Sequence, residues 1–177
     1  MTNGIEVTIT YLRQKERPTK TIPHPPRPGG AILKASRIPV HYYRYLYDLI
    51  GGPYNWVSRR VMDDDVLSGI IHDEQVFIYI LYIDGAPGGF CELDFRETPR
   101  MDLKFFGLAP DAIGKGWGGY FLGQCLSIAW DLGPNEIHLE TCTLDHRAAL
   151  PLYQKFGFEA FDMQKGHVDI VEGYNAY

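Results

Sequence analysis

The chain has 177 residues and a mass of 20.1 kDa, room for one domain with a substantial core and not for two full ones. Hydrophobic residues at 45 % and charged residues at 22 % exclude general disorder, and no apolar run reaches the length of a membrane span. The net charge of −5 is unevenly spread: residues 1–40 hold seven Lys or Arg against two Asp or Glu, and residues 41–177 hold ten against twenty.

A nucleic-acid binder gathers positive charge on its folded body, and here that body is acidic. Such a body suits a cationic partner such as an amine, although solubility explains it equally well. Three cysteines (Cys91, Cys125 and Cys142) cannot all pair within one chain, and their spacing does not suggest a zinc site. Free thiols, with no basic and apolar leader at the amino terminus, point to the cytoplasm.

Ile5, Val7, Ile9 and Tyr11 alternate with polar residues, the period of a half-buried strand. Six of the twelve prolines then fall within residues 18–39, which reads as a basic extended connector lying on the body or, equally, as a disordered linker. Removing residues 1–30 is expected to leave ligand binding largely intact. Val40, Tyr43, Tyr47 and Ile50 stand at helical spacing, with Pro39 at the start and Gly51 and Gly52 as the stop. After a loop with Tyr54 and Trp56, the run Asp63, Asp64, Asp65 opens a second helix to about residue 71. Three strands follow at 76–83, 88–95 and 100–108, the first two joined by a hairpin turn at Asp84 and Gly85. Residues 118–132 form an amphipathic helix, 136–142 a strand, 148–156 a helix and 159–163 a last strand. The order β, αα, βββ, α, β, α, β gives an α+β fold, a mixed α/β sandwich on one sheet.

The stretch LAPDAIGKGWGGYF at residues 108–121 carries most of the chemistry. It joins a strand to a helix through Gly114, Gly116, Gly118 and Gly119, so that backbone N–H groups and the helix start can cradle a phosphate or pyrophosphate. GKGWGG also satisfies the dinucleotide-binding pattern G-x-G-x-x-G. Five residues separate its first glycine from the strand, however, and only 37 residues follow Glu140, so the context for that fold is wrong.

Leu108-x-Pro110-x-x-Ile113-Gly-Lys-Gly116-x-Gly118 resembles the acetyl-CoA pyrophosphate loop of the GCN5-related N-acetyltransferase (GNAT) family. DHRAALPLYQKFGFE, about thirty residues on, is similar to that family's second signature. The resemblance implies the acyl-CoA N-acyltransferase fold, a mixed central sheet with helices on both faces. It divides the chain into residues 1–38, a strand and connector, and residues 39–177, the acetyltransferase domain. It further implies acetyl-CoA bound by Leu108, Ile113, Gly114, Lys115, Gly116, Trp117, Gly118, Gly119, His146 and Tyr153, with the thioester carbonyl meeting a backbone N–H near Leu108 and Tyr153 beside the sulfur. Ile113 stands where the family usually has Arg or Gln. His146 stands where it often has Asn, either to contact pantetheine or to cap the helix. Pro151 is tolerable if it lies in the first helical turn.

An attacking amine must first lose a proton. Asp102, placed by alternation on one face with Lys104, Phe106 and Leu108, is the first candidate base; Glu92, with Asp94 on its face, is a rival, and a water chain is the third option. Tyr43 and Tyr47 belong to the core. Tyr54 and Trp56 are candidates to touch the acceptor through their ring faces. The expected activity is N-acetylation of a primary amine on a small molecule. A protein acetyltransferase and a non-catalytic CoA-binding module are the alternatives. Neither nucleic acid, membrane nor metal is expected as a partner, and a homodimer stays open.

Overall fold

The computed structural model describes residues 4–170. In chain order it contains β1 (Gly4–Gln14), β2 (Gly30–Lys34), α1 (Val40–Gly51), α2 (Asp64–Ile71), β3 (Val76–Ile83), β4 (Ala86–Asp94), β5 (Arg100–Leu108), α3 (Trp117–Asp131), β6 (Glu136–Cys142), α4 (Ala149–Lys155) and β7 (Glu159–Asp169). The seven strands form one sheet in the order β2-β3-β4-β5-β6-β1-β7, antiparallel throughout except for β5 beside β6. This is the expected α+β class, with one strand more. None of the helices among the described residues is long and apolar enough to cross a membrane.

Helices cover both faces, so β4 is buried almost along its whole length and its alternate residues serve two cores. Phe90 packs with Tyr43, Tyr47 and Ile50 of α1 and with Leu67 of α2. Cys91 and Leu93 point the other way, into the core built with Phe121, Leu122 and Cys125 of α3 and Tyr153 of α4. The β3–β4 hairpin turns on Asp84 (φ 52°) and Gly85 (φ 85°), the two left-handed residues that a type I′ turn requires.

Two expectations change at the amino end. The connector contains an edge strand: Ala31 pairs with Tyr82 and Leu33 with Ile80. A five-residue strand with Leu33 exposed carries too short an alternation to be recognised beside so many prolines. Secondly, β1 is an interior strand, paired with β6 from Ile9 to Gln14 and with β7 from Gly4 to Arg13, and it buries Val7 and Leu12. Loss of residues 1–30 would therefore remove the strand between β6 and β7 and cost stability, because β1 does pair with the sheet. The same pairing extends β7 to Asp169, although its side chains are almost all exposed and show no alternating pattern.

Between β1 and β2 the proline-rich segment lies on the body as a strap along α3. Arg17 Nη1 meets Asp131 Oδ1 at 2.7 Å at one end of that helix, and Arg27 lies 5.8 Å over the Trp117 ring at the other.

Candidate active site

β5 and β6 pair only from Arg100 to Asp102 against Glu136 to His138. Beyond that point they diverge, and the backbone groups on the β6-facing edge of residues 103–108 have no ladder partner there. A cavity of about 960 Å³ occupies the split, within the size range of small-molecule sites. One wall is β5 from Leu103 to Leu108, and the other is the end of β6 with the turn into α4. The glycine loop closes one end. Tyr54, Asn55 and Trp56 close the other, together with the β1–β7 ribbon, to which Asn55 Nδ2 donates at the Asp169 carbonyl (3.0 Å).

In the glycine loop the N–H groups of residues 114–119 find no backbone acceptor among the described residues. Ile113, Gly114, Gly118 and Gly119 line the cavity. Gly114 (φ 74°) has open space where a Cβ would stand, so its backbone is free to meet a ligand. Gly116 (φ 87°) and Gly119 instead face the strap: a Cβ would lie 3.1 Å from Pro26 and 3.6 Å from Pro23, respectively. The glycine pattern thus answers two local demands, an open backbone at Gly114 on the cavity and a close seat for the strap at Gly116. Lys115 is exposed, and Lys115, Gly116 and the buried Trp117 are not part of the cavity wall; the Trp117 ring fills the space beside Gly30. Free donors at a helix start, and a glycine that leaves room above them, fit the pyrophosphate of acetyl-CoA.

Tyr153 lies on α4, lines the cavity and is only 7 % exposed. Its ring meets Phe106 and Phe158 edge-on at 6.3 and 6.1 Å, and its hydroxyl has no protein hydrogen-bond partner among the described residues. Burial, then the nearby Asp145 and Cys91, push the phenol well above its usual value, so it stays protonated and able to donate. Pro151 falls in the first turn of α4, where its missing N–H forfeits nothing. His146 lines the cavity and braces the turn just before α4. Its Nδ1 accepts from the Ala148 N–H at 3.1 Å, while the ring stands edge-on to Tyr54 at 6.2 Å in the cavity wall.

The carboxylates separate sharply. Glu92 is fully buried under α1, where Oε1 accepts from Arg59 Nη2 at 2.5 Å and Oε2 from the Tyr43 hydroxyl. Asp94 is held by Arg96. Asp102 pairs with its neighbour Arg100 (3.1 Å), six residues or ~20 Å along the strand from Leu108. None of the three lines the cavity. Strict alternation also fails between Asp102 and Leu108. Glu92 pairs with Phe105 but Leu93 with Leu103, so Lys104 is an extra, bulged residue. Phe105 therefore joins the α1 core and Phe106 and Leu108 the α3 core, leaving Asp102 on the face opposite Phe106.

Three carboxylates not expected at the site line the cavity, Glu140, Asp145 and Asp169, and Asp145 is the most firmly held of them. It follows β6 in the turn before α4 and lies in the cavity wall. Oδ2 accepts from Thr141 Oγ1 (2.6 Å) and the Cys142 N–H (3.0 Å), and Oδ1 from Trp56 Nε1 (3.3 Å). Trp56 is set in place by Tyr47 and Phe105, and by Gly51, where any Cβ would overlap the indole. Gly51 is thus part of α1 and a seat for Trp56, and not simply a helix stop. The only sequence signal for Asp145 was its place in the DHRAAL motif.

The profile of the acetyltransferase (GNAT) family matches residues 43–158. Solved structures share the fold at low identity. An acetyltransferase of the GNAT family from Novosphingobium aromaticivorans superposes with a TM-score of 0.59 at 17 % identity, over 93 % of this chain and 65 % of its own. A GCN5-related N-acetyltransferase from Sphaerobacter thermophilus gives 0.61 at 14 %, over 96 % and 53 %. An aminoglycoside acetyltransferase from an uncultured soil sample gives 0.60 at 12 %, over 84 % and 97 %. The chain spans less than two thirds of the first two proteins' length. Among curated proteins no significant match is found. Because the matching profile takes in both core faces, the glycine loop and the Tyr153 helix, the chain belongs to the acetyltransferase (GNAT) family.

Proposed function

We propose that the protein transfers an acetyl group from acetyl-CoA to the primary amine of a small molecule, by direct attack on the thioester. The observation that carries this reading is the juxtaposition, in one cavity, of unpaired N–H groups at Gly114, Gly118 and Gly119 and the protonated Tyr153. Acetyl-CoA supplies the activated acetyl thioester. The glycine loop binds the diphosphate, and the unpaired edge of β5 near Leu108 offers N–H donors to a carbonyl oxygen that gains negative charge. Tyr153 gives its proton to the departing sulfur. Since Asp102 and Glu92 lie off the wall, the water-borne route for the amine proton is the one of the three expected options that remains. A small acceptor suits the aromatic end of the cavity, and a neighbour of the same fold is named for aminoglycoside acetylation. The three free thiols suit a reducing cytoplasm.

Melting curves test the cofactor. CoA and acetyl-CoA should raise the melting temperature, while NAD should not. Gly114→Asp should abolish the shift by setting a carboxylate in the cradle, at a backbone strain cost of about 1–2 kcal/mol. Equal stabilisation by NAD, or an unchanged CoA shift in the variant, would overturn the assignment. Release of free CoA with a panel of amines then tests the transfer itself.

A further inference from the structure

We propose that Asp145 is the counter-charge for the acceptor, so that the site selects amines entering as ammonium ions on an apolar or aromatic body. The inference rests on the transfer reading for its chemical purpose and adds to it the charge class of the acceptor and the residue that reads it.

An ionised carboxylate offers about four lone-pair positions. Three on Asp145 are occupied, by Thr141, Cys142 and Trp56, and the remaining one belongs to Oδ1, on the Trp56 side of the cavity. The bonds to Thr141 and Cys142 hold the group still, so little side-chain entropy is lost when it meets a cation. No basic side chain among the described residues forms an ion pair with it. The lysines and arginine of the wall, Lys104, Lys155 and Arg147, are exposed, whereas Asp145 is half-buried. Its charge is felt on both sides of the cavity, for it helps push up the phenols of Tyr54 and Tyr153. Tyr54 and Trp56 in the same wall supply aromatic surface to cover an apolar body beside it. A carboxylate held in place by three donors, with one lone pair left towards the cavity and no ion-pair partner among the described residues, is set to receive a cation. Serving only as a turn staple would require no such exposure to the cavity.

Calorimetric titration of the full-length protein, with and without saturating CoA, decides the matter. The probes are phenethylamine and 2-phenylethanol, which share a ring and differ in the ammonium. The wild type should bind the amine at least about tenfold more tightly than the alcohol, as expected for a partly buried charge pair. Asp145→Asn should lose about tenfold in amine affinity and leave the alcohol within twofold. If the loss of a turn anchor keeps that variant from folding, the amine-to-alcohol ratio of the wild type decides alone. Equal binding of the two probes, no binding of the amine, or an unchanged Asp145→Asn would overturn the role of Asp145. A protein that discriminates the amine but gains no stability from CoA would keep this role and lose the acetyl-transfer reading.

Discussion

Glu92 and Asp145 are both carboxylates set in mainly apolar surroundings, and their uses are opposite. Glu92 is sealed beneath α1, with one oxygen on Arg59 and the other on Tyr43, so its charge is spent inside the protein. Asp145 is fixed by two donors of its own turn and one from the aromatic loop, and it meets no cation. The first ties the loop that carries Trp56 and Arg59 to the sheet. The second offers charge to a cavity. A carboxylate on a strand next to an active site is therefore no evidence of a base until its partners are known.

The comparison breaks first at Arg59. Arg59→Ala should cost about 3–5 kcal/mol in urea unfolding, because it strands the Glu92 charge in the core. A loss under about 1 kcal/mol would mean that water reaches Glu92 and that the contrast with Asp145 is false. Tyr153→Phe sharpens the other side. It removes one hydroxyl near Asp145 and should lower kcat by roughly 10²–10⁴, with the melting temperature almost unchanged. The deficit should shrink with thioesters of more acidic thiols, which need less protonation on leaving. Near-normal kcat would reduce Tyr153 to a packing residue.

Asp94 provides the smallest test, an intermediate case beside both. Burial pushes the Asp94 carboxyl up, but the bonds from Arg96 outweigh burial and hold it below its ordinary value. A lowered folded value stabilises the protein above about pH 4 and is lost as pH falls through that folded value. Asp94→Asn should accordingly flatten the acid limb of the stability profile below about pH 4 while leaving neutral-pH activity alone. An unchanged acid limb would show that Arg96 contributes nothing measurable.

Much of the fold was legible because its cues are local. Alternation marked β1, a β-branched and aromatic run marked β3, Asp84 and Gly85 marked the hairpin, and the apolar stripe of residues 121–132 marked α3. Tyr43 and Tyr47 were assigned to the core by helical spacing and are at most 1 % exposed. The site was legible where a motif is contiguous, in the glycine loop and around Tyr153. Asp145 escaped because nothing in its own turn says that the surrounding wall is aromatic or that no base reaches it.

By itself, then, the sequence determined the mixed α+β architecture, the N–H-rich loop before α3 and the placement of Tyr153 on the following helix, since turn chemistry and periodicity are set by near neighbours. Only the tertiary structure decided which face Asp102 occupies, since one bulged residue, Lys104, reverses the alternation beyond it. It also decided that Glu92 is spent on Arg59, 33 residues away. Gly116 proved to sit tight against Pro26 of the strap, and Asp145 proved to lie in the cavity wall with no ion-pair partner among the described residues. Each of these outcomes depends on what the folded chain brings alongside from elsewhere, and no local pattern encodes a neighbour that is distant in sequence.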